Sequence, residues 1–160
     1  MSDLFTATTA AQVEEALARG EDIEREQGFP VTTPLISACK RGELEVVDCL
    51  LNHGANVAHT PSGSESPIQW SAKNGHAAIV ERLVRAGANI NDNQGGEGWT
   101  TLAFASVEGH VDVVDCLSSL GADIEMRDVF GNTALMWASW KGRIDVVDRL
   151  LAAGANLNTR

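Results

Sequence analysis

The sequence predicts an all-α solenoid in which stacked helix-turn-helix units are joined by turns or β-hairpins. Three observations carry that prediction. Glycines fall in two interleaved ladders: Gly42, Gly75, Gly109 and Gly142 are spaced by 33, 34 and 33 residues, and Gly54, Gly87, Gly121 and Gly154 follow twelve residues behind. A hydroxyl residue (Thr33, Ser66, Thr100, Thr133) stands a fixed distance before each glycine of the first ladder. Between the two ladders, apolar residues recur at three- and four-residue steps. A chain of 160 residues with 44% apolar and 21% charged side chains folds as one short array, not as two independent domains.

Each element follows from its own residues. The hydroxyl groups can accept the free N–H groups of a helix start, and Pro34 and Pro67 then occupy the first helical position. The short helix that follows, Pro34 to Arg41 in the first unit, stops at a glycine suited to the left-handed cap. A second helix then presents Leu44, Val47 and Leu51; Ile79, Leu83 and Val84; Val111, Val114 and Leu117; or Ile144, Val147 and Leu151 on one face. The second ladder closes it, each time within Gly-Ala-Asn/Asp-aliphatic. This reading divides the chain into units at 32–64, 65–97, 98–130 and 131–160. They are preceded by a partial unit at 1–31, with Val13, Leu17 and Ile23 in the apolar places, that caps the N-terminal end.

Segments such as TPLISACKRGELEVVDCLLNHGANV and NTALMWASWKGRIDVVDRLLAAGANLN resemble ankyrin repeats, and the likeness runs from about Thr32 to Asn158. The family's histidine after its Thr-Pro-Leu start, which ties the hairpin backbone, is replaced here by Ile36, Gln69, Ala103 and Met136, so less rigid turns are expected. The stretch His59 to Ser66 lacks the usual Asp-x-x-Gly, and Asp92 to Gly98 carries an extra residue; both are expected to be irregular and mobile. Asp128 to Gly131 keeps the family's turn.

The resemblance implies a concave surface lined by the first helices and the projecting turns, with the two places before each first-ladder glycine pointing into it. Those places hold Lys40 and Arg41, Lys73 and Asn74, Val107 and Glu108, and Trp140 and Lys141. Trp99 precedes a helix-starting threonine, at a place that faces the surface in the family, and Phe130 sits in the best-formed turn. Large surface aromatics and basic side chains are frequent anchors of binding energy. The expected contact residues are therefore Lys40, Arg41, Lys73, Trp99, Phe130, Trp140 and Lys141, with Trp99 and Trp140 foremost. Trp70, Phe104 and Trp137 share one place in the first helix and are expected to stack as an aromatic seam.

Composition narrows the partner. Twelve basic against twenty-two acidic residues give a formal charge of −10, which repels phosphate backbones and anionic lipid, so neither nucleic acid nor membrane is expected. No apolar run is long enough to span a bilayer, and the start of the chain predicts neither leader nor anchor. Three cysteines, an odd number, suit a reducing compartment such as the cytoplasm, or the nucleus.

No residues assemble a catalytic signature. Gly95, Gly96 and Gly98 lack the preceding strand and following Gly-Lys of a phosphate loop. Cys49 and His53 are one helical turn apart, but Cys49 takes an aliphatic core place, and His76 and His110 fit packing and helix entry. The acidic pairs Glu43/Glu45, Asp112/Asp115 and Asp145/Asp148 recur where a wetted outer face is expected.

The expectation is a non-enzymatic protein-protein interaction module, a scaffold, adaptor or inhibitor, that takes an acidic or aromatic-bearing protein or peptide and needs no cofactor. The alternatives are a small-molecule-binding or regulatory subunit using the Trp70, Phe104, Trp137 seam as a pocket, and an engineered binder, against which the divergence at Gln69, Ala103 and Met136 counts. The apolar band Ile144, Val146, Val147, Leu150 and Leu151 has no polar cap after it, which points to a truncated array, a frayed last helix, or self-association through the C-terminal repeat.

Overall fold

The structure, a computed structural model, describes residues 3–94 and 98–157. Gly95 and Gly96 of the glycine-rich turn lie outside the described residues. The chain forms α1 (Ala10–Ala18), α2 (Pro34–Arg41), α3 (Leu44–Asn52), α4 (Pro67–Lys73), α5 (Ala77–Arg85), α6 (Thr101–Glu108), α7 (Val111–Ser119), α8 (Ala134–Trp140) and α9 (Ile144–Ala152). Among the described residues the strand-like pairing is one antiparallel bridge, Gln27 with Thr32.

The helices start and stop as the hydroxyl and glycine patterns require. Thr33, Ser66, Thr100 and Thr133 each accept from a backbone N–H of the first turn. At α4 the cap is reciprocal: Gln69 Oε1 accepts from the Ser66 N–H at 3.0 Å while Ser66 Oγ accepts from the Gln69 N–H. Gly42 and Gly109 end α2 and α6 at φ +80° and +86°.

Two rows result. A front row runs α2, α4, α6, α8 and a back row α1, α3, α5, α7, α9, with each front helix packed on the back helix that follows it. No single pair could bury its apolar stripe alone, so the core is continuous between rows. Val46, Leu50, Leu83, Val113, Leu117 and Leu150 are buried to within 1%. At the N-terminal end, a turn holding buried Leu4 and Phe5 stands where a front helix would be. The apolar band of α9 is not uniformly bare: Val146 and Leu150 are buried under α8, Val147 and Leu151 are half-buried, and Ile144 is 73% exposed.

Adjacent pairs are stitched by polar contacts that recur with the repeat. His76 Nε2 donates to the Lys40 carbonyl at 3.3 Å, His110 Nε2 to that of Lys73 at 3.0 Å, and Arg143 Nε to that of Val107 at 2.8 Å. The two histidines are thus structural ties.

Candidate functional site

The front face is built by the last turns of α2, α4, α6 and α8 and by the hairpin turns before them. The chain's three lysines and four tryptophans all meet there. Lys40 Nζ stands 4.1 Å from the centroid of the Trp70 ring, and Lys73 Nζ stands 4.8 Å from the same ring and 5.4 Å from Phe104. Phe104 meets Trp99 at 5.3 Å, Trp99 meets Trp137 at 4.4 Å, and Trp137 meets Trp140 edge-on at 5.4 Å. Lys141 Nζ lies 4.6 Å over Trp140. A ladder of rings, with ammonium groups around Trp70 and at Trp140, therefore crosses the front row from α2 to α8. Attraction of the cations to the ring faces and packing of the rings, tilted in two pairs and edge-on in the third, hold it together.

Local structure aims the rings. Asp128 organises the turn before α8, where its Oδ1 accepts from the N–H groups of Phe130 and Asn132, both at 2.9 Å. Its Oδ2 accepts from Trp137 Nε1 at 2.8 Å, so the turn and the ring orientation are set by one buried carboxylate. Trp70 Nε1 donates to Ser64 Oγ at 3.4 Å in the same manner. Trp137 and Trp140, with Asn132 and Met136, line an open groove of about 270 Å³. The groove is open, as a protein-binding face requires.

The expected contact residues separate on this face. Lys40, Lys73, Trp140 and Lys141 are on the ladder, and Trp140 keeps 71% exposure. Phe130 is 63% exposed on the adjoining turn, beside Val129 at 70%.

Trp99 is different. Its ring packs between Phe104 and Trp137 and is half-buried, which removes apolar area from water but leaves its buried Nε1–H without an acceptor among the described residues. The seam expected of Trp70, Phe104 and Trp137 forms, but only with Trp99 and Lys73 inserted between its members. Arg41 is turned away to the N-terminal end, where Nη1 donates to the Phe5 carbonyl at 2.6 Å and Nη2 to that of Ala7 at 2.9 Å, with Glu43 alongside. It latches the capping turn.

Gln69 was read only as a departure, yet it replaces the tie thought lost. Its Nε2 donates to the carbonyls of Asp92, at 3.2 Å, and Trp99, at 2.9 Å. The signal in the sequence is the Ser66-x-x-Gln69 spacing of a reciprocal helix cap, which holds the Gln69 side chain at the start of α4.

The paired carboxylates of the back row are exposed except for half-buried Glu43. Cys49 Sγ donates to the Ala10 carbonyl at 3.7 Å and His53 Nδ1 to the Cys49 carbonyl at 2.9 Å. Among the described residues no three His, Cys, Asp or Glu side chains converge to hold a metal. No helix among them is long and apolar enough to cross a membrane.

A family model of ankyrin repeats, in three copies, matches residues 8–94 and 68–160. The chain belongs to the ankyrin repeat family. Ankyrin repeat domain-containing protein 63 of Mus musculus is 35% identical over 89 residues, covering 54% of this chain and 23% of that protein. Ankyrin repeat and KH domain-containing protein 1 of Homo sapiens is 39% identical over 102 residues, 63% of this chain and 4% of that protein. The palmitoyltransferase AKR1 of Lachancea kluyveri is 30% identical over 126 residues, 74% of this chain and 17% of that protein. The chain thus spans less than a quarter of the length of these ankyrin-repeat relatives. Ankyrin repeats are in general protein-protein interaction modules, and an ankyrin array is the solenoid described above.

Proposed function

We propose that this chain is a non-catalytic interaction module, acting as a scaffold, adaptor or inhibitor, that holds a partner protein or peptide on its front face. The observation that carries the reading is the ladder. Every tryptophan and lysine of a chain with net charge −10 is gathered on one face, in contact with another member of the set. Folding alone does not require a Trp at 71% exposure, whereas binding energy concentrates in such residues. Three free thiols fit work in a reducing compartment.

The test is affinity capture from an extract of the source cell. Trp140→Ala combined with Phe130→Ala is expected to release the captured partner, and Glu81→Ala with Arg85→Ala on the back row to retain it. Equal capture by the front-face variant and the wild-type chain overturns the reading.

A second reading, self-association through α9, is favoured by the 73% exposure of both Ile144 and Leu157. Sedimentation as a monomer across a wide concentration range removes it.

A further inference from the structure

The two ends of the ladder offer different chemistry. At the α2–α4 end, Lys40 and Lys73 bracket the Trp70 ring. A ring face fixes where an ammonium group sits but leaves several of its three N–H donors free. Among the described residues Lys40 has no carboxylate within ion-pair distance, and Lys73 has one, Glu65, at 3.3 Å. At the α8 end the apolar side chains Trp140, Phe130 and Val129 are exposed near the groove that Met136 helps to line, with Lys141 over Trp140 as the basic group there. Between them α6 contributes buried Val107 and, at its end, exposed Glu108.

Salt screens charges that lie beyond the Debye length, about 8 Å at physiological ionic strength, which weakens the repulsion of an acidic ligand by the more distant carboxylates of the chain.

We propose that the front face recognises an extended acidic segment of a partner protein, its carboxylates set against Lys40 and Lys73 and a bulky apolar side chain seated in the groove that Asn132, Met136, Trp137 and Trp140 line. This rests on the function proposed above and adds the chemistry of the partner. Packed helices stand roughly 8–10 Å apart, so the two steps from α4 to α8 cover about 16–20 Å. At about 3.3 Å per extended residue, the acidic pair and the apolar anchor are separated by about five or six positions. Glu108 lies on that path and repels a carboxylate in the intervening positions, which sets register as well as attraction. Lys141, over Trp140, donates to a terminal or following carboxylate past the anchor.

The experiment selects peptides of about a dozen residues from a random displayed library on the full chain, then titrates labelled copies by fluorescence anisotropy. The expected winners carry an acidic pair and, about five or six positions away, Leu, Ile, Met, Phe or Trp. Changing their Asp and Glu to Asn and Gln weakens binding about tenfold or more, and Lys40→Gln with Lys73→Gln does the same. Lys40→Arg with Lys73→Arg restores most of the affinity, and Trp140→Ala costs about tenfold. Circular dichroism and melting temperature, checked for each variant, separate loss of contact from loss of fold.

Winners that are neutral or basic, winners indifferent to the lysine pair, or a selection without enrichment each overturn the proposal. If cellular capture still depends on Trp140 and Phe130 while the selection fails, the face is right and the acidic segment wrong. If capture ignores those residues, both readings fall.

Discussion

The side-chain amide of Gln69 donates to the backbone carbonyl of Trp99 at 2.9 Å, joining α4 to the hairpin that leads into α6. The same amide reaches the Asp92 carbonyl, so one buried side chain holds the backbone at both Asp92 and Trp99 and, through Trp99, the middle of the aromatic ladder. Replacing Gln69 by Leu keeps the volume but leaves the Trp99 carbonyl and the Ser66 N–H without the amide, while the Asp92 carbonyl keeps the Thr101 N–H at 3.1 Å. Chemical denaturation is expected to show a loss of about 1–3 kcal/mol. The Trp99 environment should loosen with it, visible in the near-ultraviolet circular dichroism; an unchanged spectrum and stability would mean that the hairpin does not depend on the amide.

Gly75 and Gly87 both have left-handed φ, +81° and +97°, but differ in their surroundings. A Cβ at Gly75 would lie 2.8 Å from His110 Nδ1, whose ring is held by its bond to the Lys73 carbonyl, whereas nothing lies within 4 Å of one at Gly87. Both Ala substitutions are expected to cost the roughly 1–2 kcal/mol of backbone strain. Gly75→Ala should cost distinctly more, because it also displaces the histidine tie. Equal melting temperatures for the two variants would contradict that role for His110.

His59 sits between Glu24 and Glu26, with Nε2 3.0 Å from Glu26 Oε1. Its hydrogen bond to Glu24 raises its pKa, burial opposes, and Glu26 adds to the rise. A raised folded-state pKa means that the charged form is bound better in the native state. The contribution is therefore full below the unfolded value of about 6.5 and is lost as pH rises through the folded one. The stability gap between wild type and His59→Gln should be wide near pH 6 and narrow near pH 9. A gap that widens with pH would reverse the assignment.

Burial pushes the Cys39 thiol up to about 12, with a hydrogen bond involving Ser71 pulling slightly the other way. Burial also raises Cys49 and Cys116, and Cys116 is the one that is part-exposed. Alkylation at pH 8 is expected to reach Cys116 first and Cys39 only at the rate of global unfolding, as followed by mass spectrometry of quenched samples. Fast modification of Cys39 in the native protein would show that the α2–α4 contact opens locally.

The solenoid was legible because its requirements are local. A capping hydroxyl, a left-handed stop and a three-to-four apolar step each leave a residue type at a fixed place, and four copies place Thr33, Ser66, Thr100 and Thr133 as helix caps. The register also told which side chains share the front face, which is why Lys40, Lys73, Trp140 and Lys141 stand together. What register does not encode is which neighbour a long side chain reaches. Arg41 and Lys40 are adjacent in sequence, yet one guanidinium latches the Phe5 and Ala7 carbonyls while the other side chain lies on Trp70. Trp99, at a place that faces the surface in the family, packs on Phe104 and Trp137 for the same reason: its choice depends on Trp137, which is far away in sequence. Gln69 was seen as a missing histidine because a substitution shows what has gone before it shows what has replaced it.

Confinement of every lysine and tryptophan to one face, in a chain without tyrosine, makes that face the molecule's own optical probe and its chemical weak point. Indole emission should report docking there and little else, with no engineered label. Coupling to a sensor surface through side-chain amines would instead anchor the molecule by the residues meant to bind, so attachment is better made through a cysteine placed on the back row.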